Sequence, residues 1–143
     1  MEYNMKKTLI LLLLALSLNA QEFSWMNLEQ ARKLSKNNQK VIMVFVSKSD
    51  CSACLDIRQR INTNLLIQST LEQVLPVKLS YKKAQKLFPS TMVTPTFYFI
   101  NAQGTELIPA VKGSPADDYE FIDYISSAAA VAEIMAEAKN SKK

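Results

Sequence analysis

The sequence predicts one α/β domain with a central mixed β-sheet and helices on both faces. Strand-like apolar runs alternate with amphipathic helical patterns through most of the chain, which calls for parallel strands joined by helical crossovers. The run "VIMVFV" (Val41 to Val46) is uninterrupted and rich in β-branched residues, as a central strand buried on both faces requires. Near the C-terminus, "TFYFIN" and "TELIPAV" meet at the turn sequence "NAQG", which adds an antiparallel hairpin.

The elements follow in order. "EFSWM" (Glu22 to Met26) reads as a short strand. Asn27 then reads as an N-cap, with Gln30 at the third helical position completing a pair like a capping box. Leu28, Ala31 and Leu34 recur at helical spacing, and "KNNQK" ends the helix. After the central strand, Cys54, Ile57, Ile61 and Leu65 form one apolar helical stripe, with Arg58, Gln59, Arg60 and Asn62 off it. "VLPVKLS" (Val74 to Ser80) is the third strand, and Pro76, lacking an N–H, asks for an edge or a bulge. "KKAQKLF" (Lys82 to Phe88) is a short helix. "TFYFIN" (Thr96 to Asn101) and "TELIPAV" (Thr105 to Val111) are the last two strands, and Pro109 again asks for an edge. Ser114-Pro115 with Asp117 offers a cap, a proline at the first helical position and an acidic first turn. The closing helix carries Phe121, Ile122, Ile125 and Ala129 on one face. The order is β-α-β-α-β-α-β-β-α.

The N-terminus, "MEYNMKKTLILLLLALSLNA", places Lys6 and Lys7 before an apolar run from Leu9 to Leu18 and a small residue, Ala20. That pattern is a secretory signal peptide, with cleavage expected after Ala20. The run is short of the roughly 20 apolar residues that a membrane span needs. The expected division is a signal peptide at 1–20 and one domain at 21–143, in an exported, periplasmic setting. The 123 residues that remain suffice for one core and not for two. Net charge is +4, and the basic residues are scattered along the sequence, apart from Lys82-Lys83 and the Lys142-Lys143 tail, with no aromatic interleaving. No nucleic-acid partner is expected, nor any membrane span after cleavage.

Histidine is absent, which removes the usual general base, the commonest metal ligand and any Ser-His or Cys-His scheme. The two cysteines, Cys51 and Cys54, stand three apart. As a structural staple they would close a very small loop, for which the gain in stability is least. Zinc needs three or four protein ligands, more than two cysteines and no histidine supply as thiolate and imidazole. Cu(I) can be held by thiolates alone, so a carrier of that ion stays open beside a redox-active dithiol. Residues three apart share a helix face, so the two sulfurs can meet within disulfide geometry. With Ser49 or Asp50 as the cap, Cys51 falls in the first turn, where unsatisfied N–H groups and the helix dipole favour a thiolate. Cys54 then lies a turn deeper on the apolar stripe. The charge of Asp50 opposes a thiolate, and Lys48 stands ready to offset it.

Three features together resemble the thioredoxin family: Cys51-Ser52-Ala53-Cys54 after the strand "VIMVFV", Thr94-Pro95 before "TFYFIN", and Gly113 between the last strand and the last helix. The resemblance runs from Phe23 to Ala136. It implies a thioredoxin-like fold with a cis Thr94-Pro95 bond beside the cysteines. It implies that Cys51 attacks a substrate disulfide and Cys54 resolves the mixed disulfide, the pair forming a redox-active disulfide. Ser52 and Ala53 would modulate the potential, while Thr94 and Pro95 would bind substrate by offering backbone to a passing strand. No cofactor or metal is implied. The chain departs from thioredoxin itself in carrying Asp50 before the first cysteine, Ser-Ala between the two, Phe45 where a buried carboxylate is common, and Gln59 at the usual helix kink. It is more similar to small exported thioredoxin-like reductases. The expected activity is reduction or exchange of disulfides in exported proteins, supplied by a membrane thiol electron donor. The alternatives are an exported disulfide oxidase or isomerase, and the copper carrier.

Overall fold

In the computed structural model, which describes residues 22–142, the uninterrupted apolar run becomes the central strand β1 (Ile42–Ser47). The expected signal segment, 1–20, lies outside the described residues. The other strands are β2 (Leu75–Ser80), β3 (Thr96–Ile100) and β4 (Glu106–Lys112), and the sheet order is β2-β1-β3-β4. β1 runs parallel to β2 and antiparallel to β3, and β4 closes the antiparallel hairpin. Among the described residues five helices accompany the sheet: α1 (Leu28–Asn38), α2 (Ser52–Thr63), α3 (Leu65–Leu71), α4 (Tyr81–Leu87) and α5 (Asp118–Asn140). This is the mixed α/β architecture that the alternating pattern predicts.

The pleat sorts the core into two layers. Met43 and Phe45 of β1, with Phe97 and Phe99 of β3, face Cys54, Ile57 and Ile61 of α2, Ile67 and Leu71 of α3, and Phe121 and Ile125 of α5. Ile42, Val44 and Val46, with Tyr98 and Ile100, face Ala31 of α1, and Ala84 of α4 with Phe88 just beyond it. Because successive strand residues point to opposite faces, β1 can be apolar throughout only when both faces are covered. Each large side chain buried this way contributes about 1.5–3 kcal/mol. Pro76 and Pro109 sit on the two edge strands, where a missing donor costs least.

Three expectations are corrected. "EFSWM" forms no strand; it touches the sheet through a single parallel bridge, Met26 to Val77, with Met26 N–H donating to the Pro76 carbonyl at 2.8 Å. A strand residue's N–H and C=O face the same side, so Pro76 turns its missing N–H toward this segment and a longer ladder has no donor there. Packing holds the segment instead: the Trp25 ring lies 5.1 Å from Phe23 and 5.4 Å from Phe45. Second, the helix after the cysteines breaks at Asn64, whose extended backbone (φ −103°, ψ 107°) ends α2 and caps α3. Leu65, expected on the buried stripe, is 79% exposed as a result, and Ile67 takes the core position. Third, α5 begins at Asp118 with Asp117 as its N-cap, so Pro115 precedes the helix.

Asn64 joins three elements. Its Oδ1 accepts from the N–H groups of Leu66 and Ile67 at 2.9 and 3.3 Å, and its Nδ2 donates to Asp118 at 2.8 Å. Asn64→Ala should therefore lower stability by about 1–2 kcal/mol, read from urea denaturation at neutral pH. Asn64→Ser, which keeps a capping oxygen, should cost less.

Candidate active site

Strand register decides what meets at the end of the sheet. Ser47 at the end of β1 lies opposite Ser80 at the end of β2; Val46 lies opposite Thr96, and Thr96 opposite Lys112. The chain therefore leaves β1 toward Cys51, leaves β2 toward Tyr81, enters β3 from Pro95 and leaves β4 toward Gly113, all at one end. The sheet thus gathers at this end the cysteines and the Thr94-Pro95 step that the sequence marks forty residues apart.

Cys51 and Cys54 are joined by a disulfide, with their Cα atoms 5.2 Å apart. The cap of α2 differs from the expectation: neither Ser49 nor Asp50 takes it, and Cys51 is itself the N-cap. Its backbone is extended (φ −108°, ψ 102°), its carbonyl accepts from Leu55 N–H at 3.1 Å, and its Sγ accepts from Cys54 N–H at 3.1 Å. The sulfur occupies the place that a serine or aspartate oxygen usually fills. Ser52 and Ala53 are the first two residues of α2, so their N–H groups belong to the same unpaired first turn. Cys51 is half-buried, whereas Cys54 is 1% exposed within the apolar layer. That layer includes Phe45, whose ring stacks on Phe97 at 5.2 Å. The position six residues before Cys51 is thus apolar wall.

The Thr94-Pro95 peptide is cis, and its loop is fixed from three sides. The Pro95 carbonyl accepts from Gly113 N–H at 2.8 Å, and Thr96 Oγ1 donates to the Val93 carbonyl at 2.8 Å. Buried Thr91 donates to the Phe88 carbonyl at 2.8 Å and shares a 2.6 Å hydrogen bond with the Tyr98 hydroxyl. Gly113 has φ +90° with open space where a Cβ would stand, so its backbone conformation alone demands glycine. Among the described residues nothing hydrogen-bonds to Thr94, while Met92 and Val93 beside it are exposed apolar side chains. Sequence reading missed the Thr91–Tyr98 pair, taking "TFYFIN" as a strand only. The available signal was the tyrosine, since a buried phenol requires a partner.

Lys48 also differs from expectation. Its Nζ lies 4.2 Å from the centre of the Tyr81 ring, a cation–π contact, and among the described residues it makes no ion pair with Asp50.

These elements and this site define the thioredoxin fold. Among solved structures the chain resembles a DsbH oxidoreductase, with a TM-score of 0.63 and 19% identity over 76% of this chain and 85% of that one. It also resembles a poplar thioredoxin h, PtTrxh4, with a TM-score of 0.52 and 17% identity over 69% of this chain and 85% of that one. No protein-family model matches the chain, and no curated protein matches its sequence.

The difference in burial sets a reactivity order. In the reduced protein, a limiting amount of iodoacetamide should modify Cys51 at least about tenfold faster than Cys54, because thiol reactivity follows thiolate character and access. Peptide mass mapping reads the ratio, and equal labelling would contradict it.

Proposed function

We propose that the protein is an exported thiol:disulfide oxidoreductase that reduces disulfides of other proteins through Cys51 and Cys54. The observation that carries the reading is the capping sulfur. Cys51 Sγ sits at the positive end of α2, accepting an N–H, with its partner Cys54 one turn inside the apolar layer. A thiolate there is stabilised by the first-turn N–H groups, and the covalent mate is already within bonding reach.

The chemistry balances as follows. The Cys51 thiolate attacks one sulfur of a substrate disulfide, forming a Cys51–substrate bond while the other substrate sulfur leaves as a thiolate and takes up a proton. Cys54 loses its proton and attacks Cys51 Sγ, closing the Cys51–Cys54 disulfide and releasing the second substrate thiolate, which is then protonated. Two electrons pass from the protein dithiol to the substrate. Thr94, with no hydrogen-bond partner among the described residues, offers backbone for short strand-like pairing with the substrate chain. Ser52 and Ala53 tune the potential through their N–H groups. The chain needs no cofactor for this, only a thiol donor of the same chemistry, for which a membrane thiol system is the proposed source.

Export is supported by Lys6, Lys7 and the apolar run Leu9 to Leu18. Among the described residues no helix is long and apolar enough to cross a membrane. The reducing direction is supported by a small domain whose described helices all belong to the two covering layers.

The test is insulin reduction with dithiothreitol as donor. Wild type should accelerate it, Cys51→Ser should abolish the acceleration, and Cys54→Ser should accumulate a mixed disulfide visible on a non-reducing gel. Absence of turnover by wild type, with Cu(I) held by the same cysteines, would replace this reading with a metal carrier.

A further inference from the structure

The basic residues are scattered along the sequence, but the fold gathers four of them next to the disulfide. Lys48 leaves β1, Arg58 projects from α2, Lys78 lies on edge strand β2 and Lys82 is the second residue of α4. Together with Tyr81 and Asp50 they line one open groove of about 640 Å³. The parallel register that places Ser47 opposite Ser80 brings the β1 exit and the start of α4 together. Lys78 also borders the adjoining depression with Lys83 and Lys86, so the basic track continues along α4.

Asp50 is the one carboxylate in the groove lining. Among the described residues none of the four cations lies within 4 Å of a carboxylate; the ion pairs formed there belong to Lys33 and Arg60. Lys48 is held in place by the Tyr81 ring at 4.2 Å, so part of the charge is preorganised. Like charges gathered without counter-charges create a positive potential that attracts anionic partners and raises their rate of encounter.

We infer that this groove receives an acidic stretch of the protein whose disulfide Cys51 attacks. The assignment rests on the oxidoreductase reading above. The groove wall includes Ser49 and Asp50, the two residues immediately before Cys51. A polypeptide joined to Cys51 must therefore run its neighbouring residues past these cations. Nucleic acid would match the charge but holds no disulfide for the cysteines to exchange, so a protein segment rich in Asp and Glu is the occupant. The groove confers preference among protein substrates, while the disulfide chemistry is common to all of them.

The experiment compares two quenched-fluorophore disulfide peptides that differ only in glutamates or glutamines flanking the cysteines, each mixed with the pre-reduced protein. At low ionic strength the acidic peptide should react about tenfold faster, as several exposed charge pairs of modest strength would give, and high salt should erase the difference. Lys78→Glu with Lys82→Glu, both exposed positions, should remove the preference and leave the glutamine peptide's rate within about twofold of wild type. Equal rates for both peptides with wild type, or a preference that survives the charge reversal, would overturn the assignment. Reduction of neither peptide would refute the oxidoreductase reading separately. In that case, fluorescence anisotropy of a labelled acidic peptide on the oxidised protein decides the groove. Tighter binding to wild type than to the reversed variant supports it, and equal binding overturns it. Tighter binding of a single-stranded oligonucleotide than of an acidic peptide of equal charge would also overturn the assignment to protein.

Discussion

An α-helix begins with backbone N–H groups that have no partner inside the helix, and in α2 a cysteine sulfur meets one of them. The Cys54 N–H to Cys51 Sγ contact at 3.1 Å is possible because Cys51 is extended and outside the helix, while Cys54 is its third residue. That arrangement depends on β1. The strand is apolar on both faces and clamped between two layers, so it delivers the chain to the helix start from a fixed point. If β1 could slip by one residue, every side chain would change face and the two covering layers could not pack.

The surroundings divide the two cysteines into different environments. Behind Cys54 stand Phe45 and Phe97, an apolar wall that shields the inner thiol. In front of Cys51 the surface is of two kinds. The Pro95 loop, pinned by Gly113, Thr96 and the Thr91–Tyr98 pair, presents Met92, Val93 and a Thr94 backbone with no partner among the described residues. On the other side, Lys48 after β1, Lys78 of β2 and Lys82 of α4 are presented. One flank suits apolar and backbone contact and the other suits acidic side chains, so under the proposed function a substrate chain would meet different selection on either side of its cysteine.

Most of the fold was legible because its signals are local. "VIMVFV" can only be a doubly covered strand, and Pro76 and Pro109 named the two edges of the sheet correctly. The failures share a physical cause, which is competition for backbone N–H groups, settled partly by local caps and partly by tertiary contacts. The "EFSWM" strand was lost to the missing donor of Pro76. The helical stripe through Leu65 was lost to Asn64, whose side chain found better partners in Leu66, Ile67 and Asp118 than in a continuous helix. Cys51 displaced Ser49 and Asp50 as the cap because its own sulfur serves as the acceptor. At the site, the spacing of Cys51 and Cys54 allowed the disulfide, and the resemblance implied the cis Thr94-Pro95 bond. The basic groove was not, because Lys48, Arg58, Lys78 and Lys82 converge from four elements and no spacing in sequence records that convergence.

The central claim is that Cys51 and Cys54 open and close reversibly as a pair. Equilibrating the protein in graded glutathione or dithiothreitol buffers, then trapping free thiols by alkylation, measures this directly. The account predicts a single transition, identical from the oxidised and reduced sides, with a two-electron slope of about 30 mV per tenfold change in the ratio of reduced to oxidised protein. A pair that stays closed in excess dithiothreitol, or that does not re-form after reduction, would contradict it.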